Sequence, residues 1–149
     1  MRTLQFSSLL PVAYRDELER IVFFNPEQSR VTASLLDSVR RYGVPSIFEN
    51  DGLLRFRVPA FGPVQSLYAF DHNEQPPRLA GVVMFVRERA NTMLLLHLAV
   101  HEDYAAGGAR AEAWVTPRLL STVRSVCLRT RGITTLRMLY PREMQVTIA

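Results

Sequence analysis

The sequence predicts an α+β fold in which a mixed, mostly antiparallel sheet is flanked by helices. Three segments carry apolar residues at helical spacing, and the segments between them are short apolar runs bounded by turn residues. The chain has 149 residues, 48% of them hydrophobic and 21% charged, which suits one hydrophobic core. Neither an internal repeat nor a linker-like stretch interrupts it, so residues 1–149 are interpreted as a single domain.

The N-terminal third predicts a strand followed by two helices. Residues 3–6 alternate as a strand does, and residues 11–23 carry an apolar stripe at helical spacing. Asn25 is a favourable N-cap and Pro26 a favourable first helical residue, so the second helix is expected to begin there. Gly43 supplies the left-handed conformation that ends it.

The middle of the chain predicts five successive strands. They are residues 46–49, 53–58, 64–70, 79–87 and 92–100. Asn50, Asp51 and Gly52 tolerate positive φ, so they predict a tight hairpin turn between the first two strands. The other connections are also short, which makes successive strands antiparallel neighbours.

The C-terminal third predicts a helix that crosses over to a strand parallel to residues 92–100. An apolar stripe marks the helix, and residues 133–139 alternate as the strand. Two starts are open for the helix. Either it begins late, with Thr116 as N-cap and Pro117 as first residue, or a short first piece kinks into it. Residues 145–148 could add one further short strand.

Composition excludes several classes of protein. The single cysteine, Cys127, leaves no internal disulfide and no cysteine-rich zinc site, and the three histidines lack the spacing of metal ligands. The apolar run over residues 93–100 is broken by His97 and is far shorter than the roughly 20 residues that cross a bilayer. We therefore expect a cytoplasmic domain without a metal site, a signal peptide or a membrane span.

The charge distribution suggests an anionic partner. All 18 basic residues are arginine, and the formal net charge is +4. Residues 1–75 hold eight arginines against nine acidic residues, whereas residues 76–149 hold ten against five. The second half could therefore bind a phosphate-bearing cofactor or a nucleic acid. No helix-turn-helix or aromatic-interleaved basic sheet stands out, so nucleic-acid binding is the weaker alternative.

The loop after residues 92–100 is the segment that points to chemistry. A strand end, a glycine pair and a helix start can bind phosphate, because backbone N–H groups approach the anion and the helix N-terminus attracts it. The candidate residues are Leu98, Ala99, Val100, Gly107, Gly108, Ala109 and Arg110. Arg110 would neutralise a phosphate oxygen. A plain surface loop is the alternative interpretation.

These segments, in this order, resemble the GNAT family of acyl-CoA-dependent N-acyltransferases. Residues 79–86, LAGVVMFV, are similar to the strand before the family's cofactor strand, and residues 96–109 are similar to the cofactor strand and its loop. The resemblance implies a GNAT-like fold, acetyl-CoA or another acyl-CoA as cofactor, and a small-molecule or protein amine as acceptor. The chain departs from the family at Ala105, where Arg or Gln is usual, and at Arg110, where a small residue is usual.

The resemblance also implies a mechanism. In it an amine attacks the thioester directly, a backbone N–H on the cofactor strand holds the oxyanion, a base takes the amine's proton, and an acid protonates the departing sulfur. The later elements that usually supply this acid are reduced here to the last ten residues. A non-catalytic GNAT-fold protein that binds a protein partner is therefore the alternative.

Titratable residues near that strand are the catalytic candidates. His97 and Glu102 are the proposed bases, with His101 beside them. Tyr140 is the proposed acid, Tyr104 could also serve as one, and an ordinary packed aromatic is the competing interpretation of both. An ordinary core histidine and a solvated loop acid are the competing interpretations of His97 and Glu102.

Strict alternation predicts how the cofactor-like strand presents its side chains. It places His97 and His101 on one face and Leu96, Leu98 and Val100 on the other.

The absence of further strands predicts a homodimer. Residues 133–139 would lie near a sheet edge, and exposed edges are usually covered or paired. We expect residues 145–148 to cover the sheet of a second copy.

Overall fold

Eight strands form one sheet in the computed structural model, which describes residues 2–24, 32–139 and 144–148. The strands are β1 Leu4–Ser7, β2 Ser46–Asn50, β3 Leu53–Val58, β4 Gly62–Asp71, β5 Arg78–Arg89, β6 Thr92–Val100, β7 Thr135–Met138 and β8 Met144–Thr147. The α-helices are α1 Arg15–Phe23, α2 Thr32–Tyr42 and α3 Val115–Arg129. None of the helices in the described ranges has both the length and the apolar character that crossing a membrane requires.

The strand order is β2-β3-β4-β5-β6-β7-β8, and β1 pairs with β4 outside this path. All neighbours are antiparallel except β6 and β7, which are parallel. The predicted α+β class, the mostly antiparallel sheet and the parallel last crossover through α3 are therefore confirmed. The expected start of α2 at Asn25 and Pro26 lies outside the described residues.

Glycine-containing turns end the elements where the sequence predicts. Asp51 and Gly52 have φ of 53° and 76° and join β2 to β3 in the predicted tight hairpin. Gly43 has φ of 94°, and its N–H donates to the carbonyl of Val39, which closes the last turn of α2.

The start of α3 follows the second predicted form, in which a short first piece leads into the helix. A short 3-10 turn, Ala111–Ala113, leads to Trp114, which has a left-handed φ of 55°, and the α-helix begins at Val115. Thr116 is therefore a helical residue and the prediction that it is the N-cap is wrong. Pro117 fits as the third helical residue because N–H groups of the first turn have no partner within a helix.

Each face of the sheet carries its own hydrophobic core. On one face α3 buries Leu119, Val123 and Cys127 against β4, β5 and β6. On the other face α1 buries Leu18 and Ile21 against the same strands. The sheet is therefore a middle layer, with α1 and α3 on opposite sides of it.

Opposite Met84 and Phe85 of β5, β6 contains one extra residue. Two successive residues of β5 pair with His97 and Leu95, which leaves Leu96 as a bulge. The α3-side core receives Met93, Leu95, Leu98 and Val100, whereas the α1-side core receives Leu94, Leu96 and Ala99. The prediction that Leu96, Leu98 and Val100 share one face is therefore wrong, because the extra residue resets the alternation.

The C-terminal strand returns to its own sheet. β8 pairs antiparallel with β7, with Leu136 opposite Val146. The prediction of a further short strand is confirmed, and the homodimer stays a prediction. β8 covers the free side of β7 within the same chain.

Candidate functional site

β7 is shorter than β6 and pairs along its whole length with the first half of β6. The ladder joins Thr92–Leu95 of β6 to Thr135–Met138 of β7, and the Leu139 N–H donates to the Leu95 carbonyl at 3.4 Å. Over residues 97–99, which we call the open edge of β6, no described strand pairs on this side. Of the predicted cofactor residues, Leu98 and Ala99 lie on the open edge and Val100 lies at its end.

His97 is the first residue of the open edge and is almost fully buried, with 7% of its surface exposed. Its Nε2 has no hydrogen-bond partner within the described part of the chain. Burial lowers the pKa of His97 to about 4, so its imidazole is neutral near pH 7. A base with this pKa is poorly matched to a reaction near neutral pH, where a pKa close to 7 is most effective.

Several backbone N–H groups of the loop after β6 donate hydrogen bonds to carbonyl groups of the same loop. The Gly108 N–H donates to the Ala105 carbonyl at 2.9 Å, and the Arg110 N–H donates to the Asp103 carbonyl at 2.6 Å. A Cβ on Gly108 would lie 2.4 Å from the carbonyl oxygen of Glu102, so the loop's own packing requires glycine there. The packing and hydrogen bonding of the loop therefore explain Gly108 without a bound phosphate.

Gly107 and Ala109 are the exposed members of the predicted phosphate loop. Gly107 has a left-handed φ of 83° with open space around it. These two residues, rather than Gly108, present the loop surface on which an anion could bind.

Arg110 is held by carboxylates. Its guanidinium lies 2.7 Å from Glu74 Oε1 and 3.3 Å from Asp103 Oδ2. Arg78 reaches the same Asp103 oxygen at 2.9 Å. Binding of a phosphate by Arg110 would therefore compete with two ion pairs that are already formed.

His101 lies two residues beyond the open edge, in contact with the same charged cluster. Its Nδ1 accepts a hydrogen bond from the Asp103 N–H at 3.0 Å, and its Nε2 lies 3.1 Å from an Arg78 guanidinium nitrogen. Burial, followed by the positive charge of Arg78, lowers the pKa of His101. The ring is thus neutral near pH 7 and lines a cavity of about 410 Å³, together with Glu17 and Arg20 from α1.

Glu102 and Tyr140 are placed differently from His97. Glu102 is paired with Arg20 of α1, and its side chain is one-third exposed. Tyr140 lies outside the described residues. The structure therefore brings Glu102 close to α1 and the His101 cavity, while His97 is buried on the strand.

A buried network below this loop was not predicted from the sequence. Asp71, fully buried, accepts hydrogen bonds from the Tyr104 hydroxyl at 2.6 Å, from Arg2 at 3.0 Å and from the Asn73 N–H at 2.9 Å. Burial alone would raise the pKa of Asp71, but these hydrogen bonds and the charge of Arg2 outweigh it and lower the pKa.

Tyr104 is fixed by this network. Burial and the Asp71 carboxylate raise the pKa of its hydroxyl far above the ordinary value. Its proton is therefore held by Asp71, which makes Tyr104 a structural residue rather than a suitable acid. The one sequence signal for the network was an aspartate at the end of an otherwise apolar strand.

In the described residues, no group of three or more His, Cys, Asp or Glu side chains could hold a metal ion.

Comparisons of the chain with protein-family models, with curated proteins and with solved structures find no match.

Proposed function

We propose that this chain is a cytoplasmic acyl-CoA-dependent N-acyltransferase that transfers an acetyl group directly to an amine. The observation that carries the proposal is the end of the β6–β7 ladder at Leu95, which leaves the open edge of β6 beside a crossover helix. The resemblance of residues 79–86 and 96–109 to the GNAT family supports the same assignment.

The strand half of the site fits an acyl-thioester arm. Backbone groups of the open edge are not paired to β7, and a buried His97 Nε2 without a partner lies at its start. An elongated ligand with amide and carbonyl groups could satisfy such groups as a neighbouring strand would.

The phosphate half fits less well. Gly108 and Arg110 donate their amides within the loop, and the Arg110 side chain is ion-paired. Of the four predicted phosphate residues in the loop, Gly107 and Ala109 are the exposed ones, so they would hold the phosphates.

The chain's own groups suggest a division of roles. Bound acyl-CoA would supply an activated thioester. Open-edge N–H groups would donate to a carbonyl oxygen. His101 is a candidate base because its ring is neutral and lines a cavity, and taking the amine's proton on Nδ1 would break the hydrogen bond that Nδ1 accepts from the Asp103 N–H. His97 and Glu102 remain the other candidate bases, and Tyr140 the candidate acid.

The internal bonding of the loop favours one alternative, a non-catalytic GNAT-fold protein that binds a protein partner. The Gly108 and Arg110 amides and the Arg110 ion pairs are made within the protein itself, so these groups do not depend on a cofactor. The acyltransferase must bind acetyl-CoA, whereas the partner-binding protein need not.

Calorimetric titration with acetyl-CoA, followed by measurement of thiol release with a panel of amines, tests the proposal. Ala109→Glu places a negative charge on the exposed loop and should weaken acetyl-CoA binding about tenfold or more by charge repulsion. Ser121→Glu, at an exposed position in the middle of α3, is the matched control and should bind as the unmodified protein does. If the unmodified protein ignores millimolar acetyl-CoA, the partner-binding alternative is favoured.

The base is identified by comparing variants in the same assay. His101→Gln should lower turnover about 10²–10⁴-fold and change its pH profile, as loss of a general base does. His97→Gln and Glu102→Gln should lower it less. Full turnover in His101→Gln with a large loss in either of the others would move the base to that residue.

A further inference from the structure

A second cavity, of about 660 Å³, lies far from the open edge of β6, at the opposite side of β4. β3 and β1 pair with the same edge of β4 but at its two ends, through residues 62–64 and 68–71. Residues 65–67 of β4 therefore have no described strand on this edge. We call the cavity over this gap the β4 groove.

The floor and one wall of the β4 groove are largely apolar. Leu67 and Phe85 form the floor from β4 and β5, and Phe6 adds an aromatic ring from β1. Thr122 and Val126, one turn apart on α3, form the wall. Binding sites for small molecules have this composition, with volumes of about 300–1,000 Å³.

The polar groups of the groove are unequally charged. Arg55 on β3 and Arg129 at the end of α3 both line it, against the single acid Asp51 in the hairpin turn. Within the described ranges neither arginine has an ion-pair partner, and Arg55 has an aromatic neighbour, with its guanidinium carbon 5.9 Å from the centre of the Phe48 ring. Two unpaired guanidinium groups beside an apolar floor favour an anion with an apolar body.

The geometry of the gap argues against a peptide strand as the occupant. Strand addition needs a continuous free edge, whereas β1 and β3 close this one at both ends after three residues. A compact molecule is the occupant that fits.

We propose that the β4 groove binds a small amphipathic carboxylate, with its apolar chain on Leu67 and Phe85 and its carboxylate between Arg55 and Arg129. The proposal is independent of the acyltransferase function, because the groove and the open edge of β6 share no residue.

Decanoate is the probe, titrated by calorimetry into the full chain, with 1-decanol as its uncharged counterpart. Saturable decanoate binding with a Kd below about 1 mM is expected. The double variant R55Q/R129Q should bind decanoate about tenfold more weakly, since charge-assisted contacts are lost, and should bind 1-decanol unchanged. The matched control is R57Q/R124Q, which removes exposed arginines from the same strand and helix outside the groove.

A second variant tests the groove by blocking it sterically, without changing its charge. Thr122→Trp fills the groove from the exposed side of α3 and should abolish decanoate binding while the melting temperature shows that the chain is folded. The proposal is overturned if decanoate does not saturate, or if it binds R55Q/R129Q or Thr122→Trp as it binds the unmodified chain. If decanoate does not bind and Thr122→Trp changes the oligomeric state, the groove is instead a contact between copies of the chain.

Discussion

His97 and His101 lie four residues apart at the end of β6, yet their surroundings differ. His101 contacts Asp103 and Arg78 and lines a cavity, whereas His97 is enclosed without a described partner for its Nε2. Desolvation is the cause that lowers the pKa of His97 to about 4. At the residue scale, His97 is therefore a group whose protonation opposes folding.

The pH dependence of stability tests this interpretation of His97. Its pKa is lower in the folded chain than the unfolded value of about 6.5. The unfolded state thus binds the proton first, and stability is present above pH 6.5 and lost as the pH falls toward 4. A difference of about 2.5 pKa units corresponds to about 3 kcal/mol. Urea unfolding between pH 7 and 4 should show this loss together with a contribution from His101, whose pKa burial also lowers, and His97→Leu should remove the part due to His97.

Two comparisons isolate the effect. His72→Gln, at an exposed histidine, should keep the slope of the unmodified chain. Asp71 contributes at lower pH, because its pKa lies below its usual range. An unchanged slope in His97→Leu would show that His97 does not titrate on unfolding in this range.

At the scale of elements, α3 rests on β5 at a residue without a side chain. A Cβ on Gly81 would lie 2.9 Å from Val115 Cγ1, 3.1 Å from Leu119 Cδ1 and 3.2 Å from the Ala99 carbonyl oxygen. The glycine in the apolar run LAGVVMFV is therefore explained by close packing of the helix on the strand. The same packing holds the start of α3 beside the loop of the candidate site.

Gly81→Ala should destabilise the chain by about 1–3 kcal/mol, the usual cost of overpacking a core. Because Val115 is the nearest contact, Val115→Ala should relieve part of this cost, so the double variant should be less unstable than the two single effects predict. Chemical unfolding of the three variants measures the coupling. Additive effects would mean that α3 does not press on this residue.

Periodicity and turn residues predict most elements, because helices, strands and tight turns depend on neighbouring residues. The bulge at Leu96 was missed because one extra residue in an apolar strand leaves no sequence mark. The Asp71 network was missed for another reason, since Arg2 and Tyr104 lie 69 and 33 residues away along the chain. The open edge of β6 was not foreseen either, because the length over which two strands pair depends on two segments that are distant in the sequence.

At the scale of the whole molecule, the strand path β2-β3-β4-β5-β6-β7-β8 ends in two different edges. β2 carries Glu49, and charged residues discourage edge-to-edge pairing. β8 has the sequence MQVT and no charged residue. Of the two ends of this path, β8 is therefore the one that is open to pairing with a second copy.

We predict that the chain is a homodimer in which two β8 strands pair and extend the sheet. In such a dimer the two β8 strands are related by a two-fold axis, and each supplies hydrogen-bond partners for the free backbone groups of the other. Light scattering should give twice the monomer mass at a protein concentration of about tens of micromolar. A modest interface holds a dimer together at such concentrations. Gln145→Lys adds a charge at an exposed position of β8 and should shift the protein toward monomer, whereas Ser46→Lys on β2 should not. A monomer in the unmodified protein, or a dimer sensitive to Ser46→Lys alone, would contradict pairing through β8.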